Sequence, residues 1–98
     1  MNQYFLSTAA EKDLNGIVGH LALKSLSAAV TLLDSLRQKC RLIAENPSIG
    51  RSRTELSPGL RGFSAGNIIV IYRVLEEEVE IVRFISRFRD LDSVLHWH

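Results

Sequence analysis

From Thr8 onward the apolar positions recur every three or four residues. Ala10, Leu14, Ile17, Val18 and Leu21 have the spacing of one face of an α-helix. Thr8 and Glu11 form a T-x-x-E capping box that satisfies free amides at the start of such a helix. Gly16 and Gly19 each weaken it by about 1 kcal/mol relative to alanine, so it needs tertiary support. Ser25 or Ser27 breaks the pattern and caps a second helix. Its apolar stripe runs through Leu26, Ala29, Val30, Leu33, Leu36, Cys40, Ile43 and Ala44. That helix ends near Asn46, because the residue before Pro47 is pushed out of helical conformation. After Pro47 the period changes. The stretch 47–59 is rich in Ser, Pro, Gly and Arg and predicts an irregular link. Strands are then expected over Leu60–Ala65, Ile68–Leu75 and Val79–Phe88, with Gly66-Asn67 as a two-residue hairpin turn and 76–78 as a second turn. Tyr4–Leu6 is a candidate edge strand, and 91–98 a candidate terminal helix.

The pattern thus predicts an α+β chain of order β-α-α-β-β-β: an N-terminal helical hairpin (about 8–46) packed on a small antiparallel sheet (about 60–88). The 98 residues are expected to form a single domain, 1–98, around one core. With 46% hydrophobic and 23% charged residues, the composition suits a packed core with a charged surface.

Strand alternation then groups the arginines. Residues of one parity share a face, so Arg83, Arg87 and Arg89 are expected beside Val79, Ile81 and Ile85, with Ile69, Ile71 and Arg73 on the middle strand and Arg61, Phe63 and Ala65 on the first. That face, half apolar and half guanidinium, is expected to be free of helices. The other parity (Val70, Tyr72, Val74, Val82, Phe84 and Phe88) is expected to pack beneath them. An apolar patch rimmed by arginine fits a binding site, with Arg61, Arg83, Arg87 and Arg89 as candidate contacts. The plainer alternative is that each arginine is solvated or paired with Glu76, Glu78 or Glu80.

Charge and candidate chemistry narrow the function classes. The net charge of +1 argues against a general nucleic-acid binder. Arginine outnumbers lysine nine to three, which favours planar, bidentate contacts over diffuse attraction. One cysteine excludes an internal disulfide framework. Cys40 lies on the apolar stripe with no base near it in sequence, as expected of a core residue. The N-terminus shows no signal-peptide pattern and no apolar run long enough to span a bilayer, so a cytoplasmic protein is expected. His96 and His98 make an H-x-H pair without a third ligand at a definable spacing. No glycine loop for phosphate, zinc motif or nucleophile elbow occurs. No cofactor or metal is expected.

The order helix, helix, P-x-x-G-R, G-L-R-x-F, hairpin, long strand and R-x-x-R-D resembles the ParE branch of the ParE/RelE toxins of bacterial toxin–antitoxin modules. The resemblance runs through Ala10, Asp13, Leu14 and Ile17, then 46–51, 55–63, 69–73 and 79–83, and closes at Arg89-Asp90. It departs from the family pattern at 86–88, where members carry a His-Gly-like pair. The resemblance implies a toxin that inhibits DNA gyrase without catalysis of its own, with Arg61, Arg83, Arg87, Arg89 and Asp90 at the target contact. It also implies a ParD-like antitoxin whose tail lies on Leu14, Ile17, Val18, Leu21, Ile69, Ile71 and Arg73, and contact with DNA only through antitoxin or gyrase. The alternative is a RelE-like, ribosome-dependent messenger-RNA endoribonuclease, which needs a base and an acid besides cations. Tyr72 falls on the expected helix-covered parity, and Phe88 carries no transferable proton, which leaves only His96 or His98. A third reading is a toxin-like fold that serves only as a binding partner or has lost activity.

Overall fold

Ser7, one residue earlier than the capping residue expected, starts the first helix. Its hydroxyl accepts a hydrogen bond from the Ala10 amide at 3.0 Å, and Thr8 is already helical. Position 7 wins because the same hydroxyl donates to the carbonyl of Val82 at 2.8 Å, tying the helix start to the sheet. The computed structural model describes residues 3–86. Along the chain it places β1 (Tyr4–Leu6), α1 (Thr8–Ala22), α2 (Leu26–Glu45), a 3₁₀ turn (Pro47–Ile49), β2 (Arg51–Ser52), β3 (Leu60–Ala65), β4 (Ile68–Val74) and β5 (Val79–Ser86). Ser25 caps α2 by accepting from the Ala28 amide, and α2 stops at Asn46 as the following proline demands.

The expected α+β architecture is present, including the edge strand at Tyr4–Leu6, with one further strand. β3, β4 and β5 form the antiparallel meander. β1 joins its far edge in parallel to β5, and β2, within the link expected to be irregular, adds a short strand to β3. The sheet is therefore mixed, in the order β1-β5-β4-β3-β2. Gly66 makes the β3–β4 turn at φ +63°, a conformation that costs glycine little.

The main core lies between the helical hairpin and one sheet face. It joins Ala10, Leu36, Cys40 and Ile43 of the helices to Val70, Tyr72, Val79, Ile81 and Phe84 of the strands. A smaller cluster of Leu60, Ile71, Val82 and Ile85, with Leu56 and Ile69 against it, occupies the opposite face. Not all of the α2 stripe is interior. Leu26 and Val30 are 70% and 53% exposed, and Leu23 beside them 86%. A 20-residue helix is about 30 Å long, whereas the strands beneath it reach about 25 Å. The hairpin tip therefore overhangs the sheet.

The expected strand parity is broken in β5. Tyr72 pairs with Ile81 but Ile71 pairs with Arg83, so Val82 is an extra residue, a β-bulge. Val79 and Ile81 turn beneath the helices, contrary to expectation, and Phe84 still joins them on the far side of the bulge. Val82 and Ile85 go to the other face. Unbroken alternation from Val79 would send Arg83 into the core and Phe84 away from it. The bulge buries both apolar groups and spares the guanidinium that cost. Parity on β3 also differs from expectation. Arg61 lies opposite Tyr72 and Phe63 opposite Val70, so Arg61, Phe63 and Ala65 are on the helix side.

Candidate interaction surface

Among the described residues the expected arginines do not share one helix-free face. Arg61 and Arg83, grouped by parity, sit in different places and both are engaged within the chain. Arg87, Arg89 and Asp90 lie outside the described residues, as do His96, His98 and the expected terminal helix.

Arg61 serves the turn that follows α2. Its Nη2 donates to the carbonyls of Gly50, at 2.6 Å, and Ser48, at 3.2 Å. Beside it the Tyr72 hydroxyl accepts from the Gly50 amide at 2.8 Å and donates to the Pro47 carbonyl. Tyr72 is completely buried, and its bond from the Gly50 amide is buried as well, so the hydroxyl answers a backbone donor in the interior. A β-carbon at Gly50 would stand 2.5 Å from the Tyr72 oxygen, which explains a glycine there. Arg61, expected at a contact surface, is in the fold part of a staple with Tyr72 that holds residues 47–50 on the sheet.

Arg83 serves the opposite edge. β1 pairs with β5 only from Val79 to Ile81, and α1 takes over beyond. Asp13 accepts from Arg83 Nε at 2.6 Å and Nη2 at 2.8 Å, and from the Phe84 amide at 3.1 Å. The two side chains are 14% and 12% exposed, and the pair has the two-pronged geometry in which guanidinium–carboxylate bonds are strongest. Asp13 reads in the sequence as one of several acids near a helix start. What it does depends on a residue 70 positions away, and no local signal carries that.

Around this pair runs a groove of about 350 Å³ between α1 and β5. Lys12, Asp13, Gly16, Ile17 and His20 line one wall and Arg83, Phe84, Ile85 and Ser86 the other. The residues expected to meet an antitoxin are distributed across the molecule. Leu14 and Ile17 pack against the main core, with Ile17 also reaching the groove, and Val18 and Leu21 are half-buried on α1. Ile69 and Ile71 belong to the opposite face, where Ile71 is wholly buried. The stem of Arg53 lies against that face, since a β-carbon at Gly62 would come within 3.3 Å of its Cγ. Arg73 is exposed and stands 3.7 Å from Glu80.

Other candidate chemistry is quiet. Burial pushes the Cys40 thiol up to about 12, which removes the thiolate a nucleophile needs. Burial likewise raises the Tyr4 phenol above its ordinary value. Among the described residues no cluster of three His, Cys, Asp or Glu side chains is placed to hold a metal ion. Among them, too, no helix is long and apolar enough to cross a membrane.

Comparison with known proteins adds three findings. The family described as the ParE toxin of the type II toxin–antitoxin system parDE matches residues 4–91. The chain is 33% identical over 96 residues to Toxin ParE1 of Mycobacterium tuberculosis, in the CDC 1551 and H37Rv strains alike, covering 96% of this chain and 98% of the relative. Its fold is similar to that of a chain from the chromosomal ParDE TA system from P. aeruginosa, with a TM-score of 0.74 at 20% identity, over 88% of this chain and 96% of the other.

Proposed function

The chain belongs to the ParE toxin family of type II toxin–antitoxin systems, and from that premise we propose that it arrests growth by inhibiting DNA gyrase until a ParD-like antitoxin binds it. The observation that carries this reading is the family match across residues 4–91, which includes both helices, the whole described sheet and the basic segment 87–90. The site of action in this reading is the cytoplasm, where gyrase works.

In this reading target contact falls chiefly to Arg87, Arg89 and Asp90, because Arg61 and Arg83 are engaged in hydrogen bonds within the chain. For the antitoxin, Val18 and Leu21 with the exposed Leu23, Leu26 and Val30 offer an apolar surface on the helical hairpin, and the α1–β5 groove offers a second. Exposed apolar area of this kind is what a segment that folds on binding would cover. Ile69 and Arg73 remain candidates on the other face, whereas the wholly buried Ile71 drops out.

A ribonuclease reading gains nothing from the described residues. The Tyr72 hydroxyl is buried and held by two backbone groups, so it is not placed to exchange a proton with a message. The deciding experiment is a gyrase supercoiling assay with the purified chain, run beside ribosome-programmed message cleavage. Blocked supercoiling with trapped, cleaved DNA and intact message is the expected result. Cut message with normal supercoiling would overturn the gyrase reading.

A further inference from the structure

A second, smaller pocket of about 120 Å³ lies where β1 meets the two helices. Among the described residues its deepest lining is Leu36, Cys40 and Phe84, each at most 3% exposed. Half-buried Tyr4, Leu6 and Leu14 form the walls nearer the surface, and the exposed Arg37 stands at the mouth. A cavity of about 150 Å³ holds a benzene ring. This pocket therefore has room for one aliphatic side chain of about leucine size.

The mouth is cationic. Arg37 and Arg41, both exposed on α2, are one helical turn apart and leave the same face of the helix. Burial raises the Tyr4 phenol above its ordinary value, whereas the positive charges of Arg41 and Arg37 pull it back. Both guanidinium groups thus lie close to the wall that Tyr4 forms. Asp34 and Glu45 share the helix, yet among the described residues neither arginine forms an ion pair or a hydrogen bond. An apolar hollow beside two unengaged cations complements a chain that offers an aliphatic group next to a carboxylate. A nucleic acid would bring a row of phosphates, for which two cations are few, and nothing aliphatic to fill the hollow. We propose that this pocket docks an acidic segment of a partner protein, whose aliphatic side chain enters between Leu6 and Leu14 while a neighbouring carboxylate is held by Arg37 and Arg41. The site goes beyond the two surfaces named above and does not depend on gyrase as the target.

The test titrates the full chain with short synthetic peptides blocked at both ends and follows the amide NMR shifts. The first peptide carries one leucine between two glutamates on a glycine–serine background. The second has glutamines in place of the glutamates, and the third has alanine in place of the leucine. The first should give saturable shifts at the amides of Leu6, Leu14, Arg37 and Cys40. The alanine peptide should bind about tenfold more weakly or worse, for want of the buried side chain. The glutamine peptide should bind about threefold to tenfold more weakly, the scale of two exposed ion pairs. Arg37→Gln combined with Arg41→Gln should weaken the glutamate peptide by that same factor and leave the glutamine peptide unaffected. Arg51→Gln, which removes an equal charge from exposed β2, should stay within about twofold of wild type. All of these substitutions are at exposed positions and should leave the fold intact.

Absence of saturable shifts at the pocket amides with the first peptide would overturn the proposal. So would equal binding of all three peptides, or an equal loss in Arg51→Gln, which would reduce the effect to general charge attraction. Two further titrations separate other occupants. Free isocaproate or an oligothymidylate that saturates the pocket where the first peptide does not would assign it to a small acid or to nucleic acid, and would overturn the partner-protein assignment.

Discussion

Two regions of this molecule solve the same problem by different means. At one edge of the sheet the turn after α2 is held by Tyr72 and Arg61, and at the other edge α1 is held by Asp13 and Arg83. The Tyr72 staple centres on a buried neutral hydroxyl and the backbone groups it bonds. The Asp13 latch is an ion pair at the wall of a groove. A buried neutral hydrogen bond contributes modestly when made and costs more when one side is left unmet. A desolvated ion pair contributes little net, yet losing one partner leaves an uncompensated charge. The comparison teaches that the latch is the more vulnerable of the two to a single substitution, although the staple is the more deeply buried.

That contrast can be broken by measurement. Asp13→Ala removes the carboxylate that accepts from Arg83 Nε and Nη2, and a loss of about 3–5 kcal/mol in urea unfolding is expected. A loss below that of Tyr72→Phe would reverse the ranking of the two regions. Tyr72→Phe keeps the ring and strands the Gly50 amide and Pro47 carbonyl, for an expected loss of about 1–3 kcal/mol. Gly50→Ala should cost a similar amount, about 1–3 kcal/mol, by forcing a methyl group into the Tyr72 ring.

A different effect separates the core from both edges through pH. The Cys40 thiol is raised from 9.0 to about 12 in the folded chain, so the folded state holds this proton more tightly than the unfolded one. Its contribution is complete below pH 9 and is lost as pH rises toward 12. Stability of the wild type should therefore fall more steeply over that interval than that of Cys40→Ala, and parallel curves would refute this. Smallest of all is the surface pair of Arg53 and Glu55 at 2.7 Å. The Arg53 hydrogen bond lowers the Glu55 carboxyl below its ordinary value, but the group is fully exposed. Glu55→Gln should leave the melting temperature unchanged, as is usual for exposed pairs.

Much of the fold was legible because its signals are local. The period of three to four in 8–45, the serine ahead of the second helix, the proline after Asn46 and the glycine at position 66 all act on neighbours a few residues away. The helices, the hairpin and the meander follow from them. The candidate site was much less legible. Arg61 and Arg83 were grouped by an alternation that assumes unbroken strands, and Asp13 looked like any acid near a helix start. Leu26 and Val30 sit on the α2 apolar stripe with nothing local to mark them as exposed.

By itself, then, the sequence determined the two helices, the edge strand, the three strands of the meander and which family the chain resembles, since those properties rest on side-chain periodicity and backbone preference within a few residues. Tertiary structure alone decided which way Val79, Ile81 and Arg83 face, which arginines are spoken for, and where the hairpin overhangs. Each of those outcomes turns on a meeting between distant residues. One inserted residue in β5 reverses the faces of all that follow it, and only the packing of α1 and β4 against that strand settles where the insertion falls.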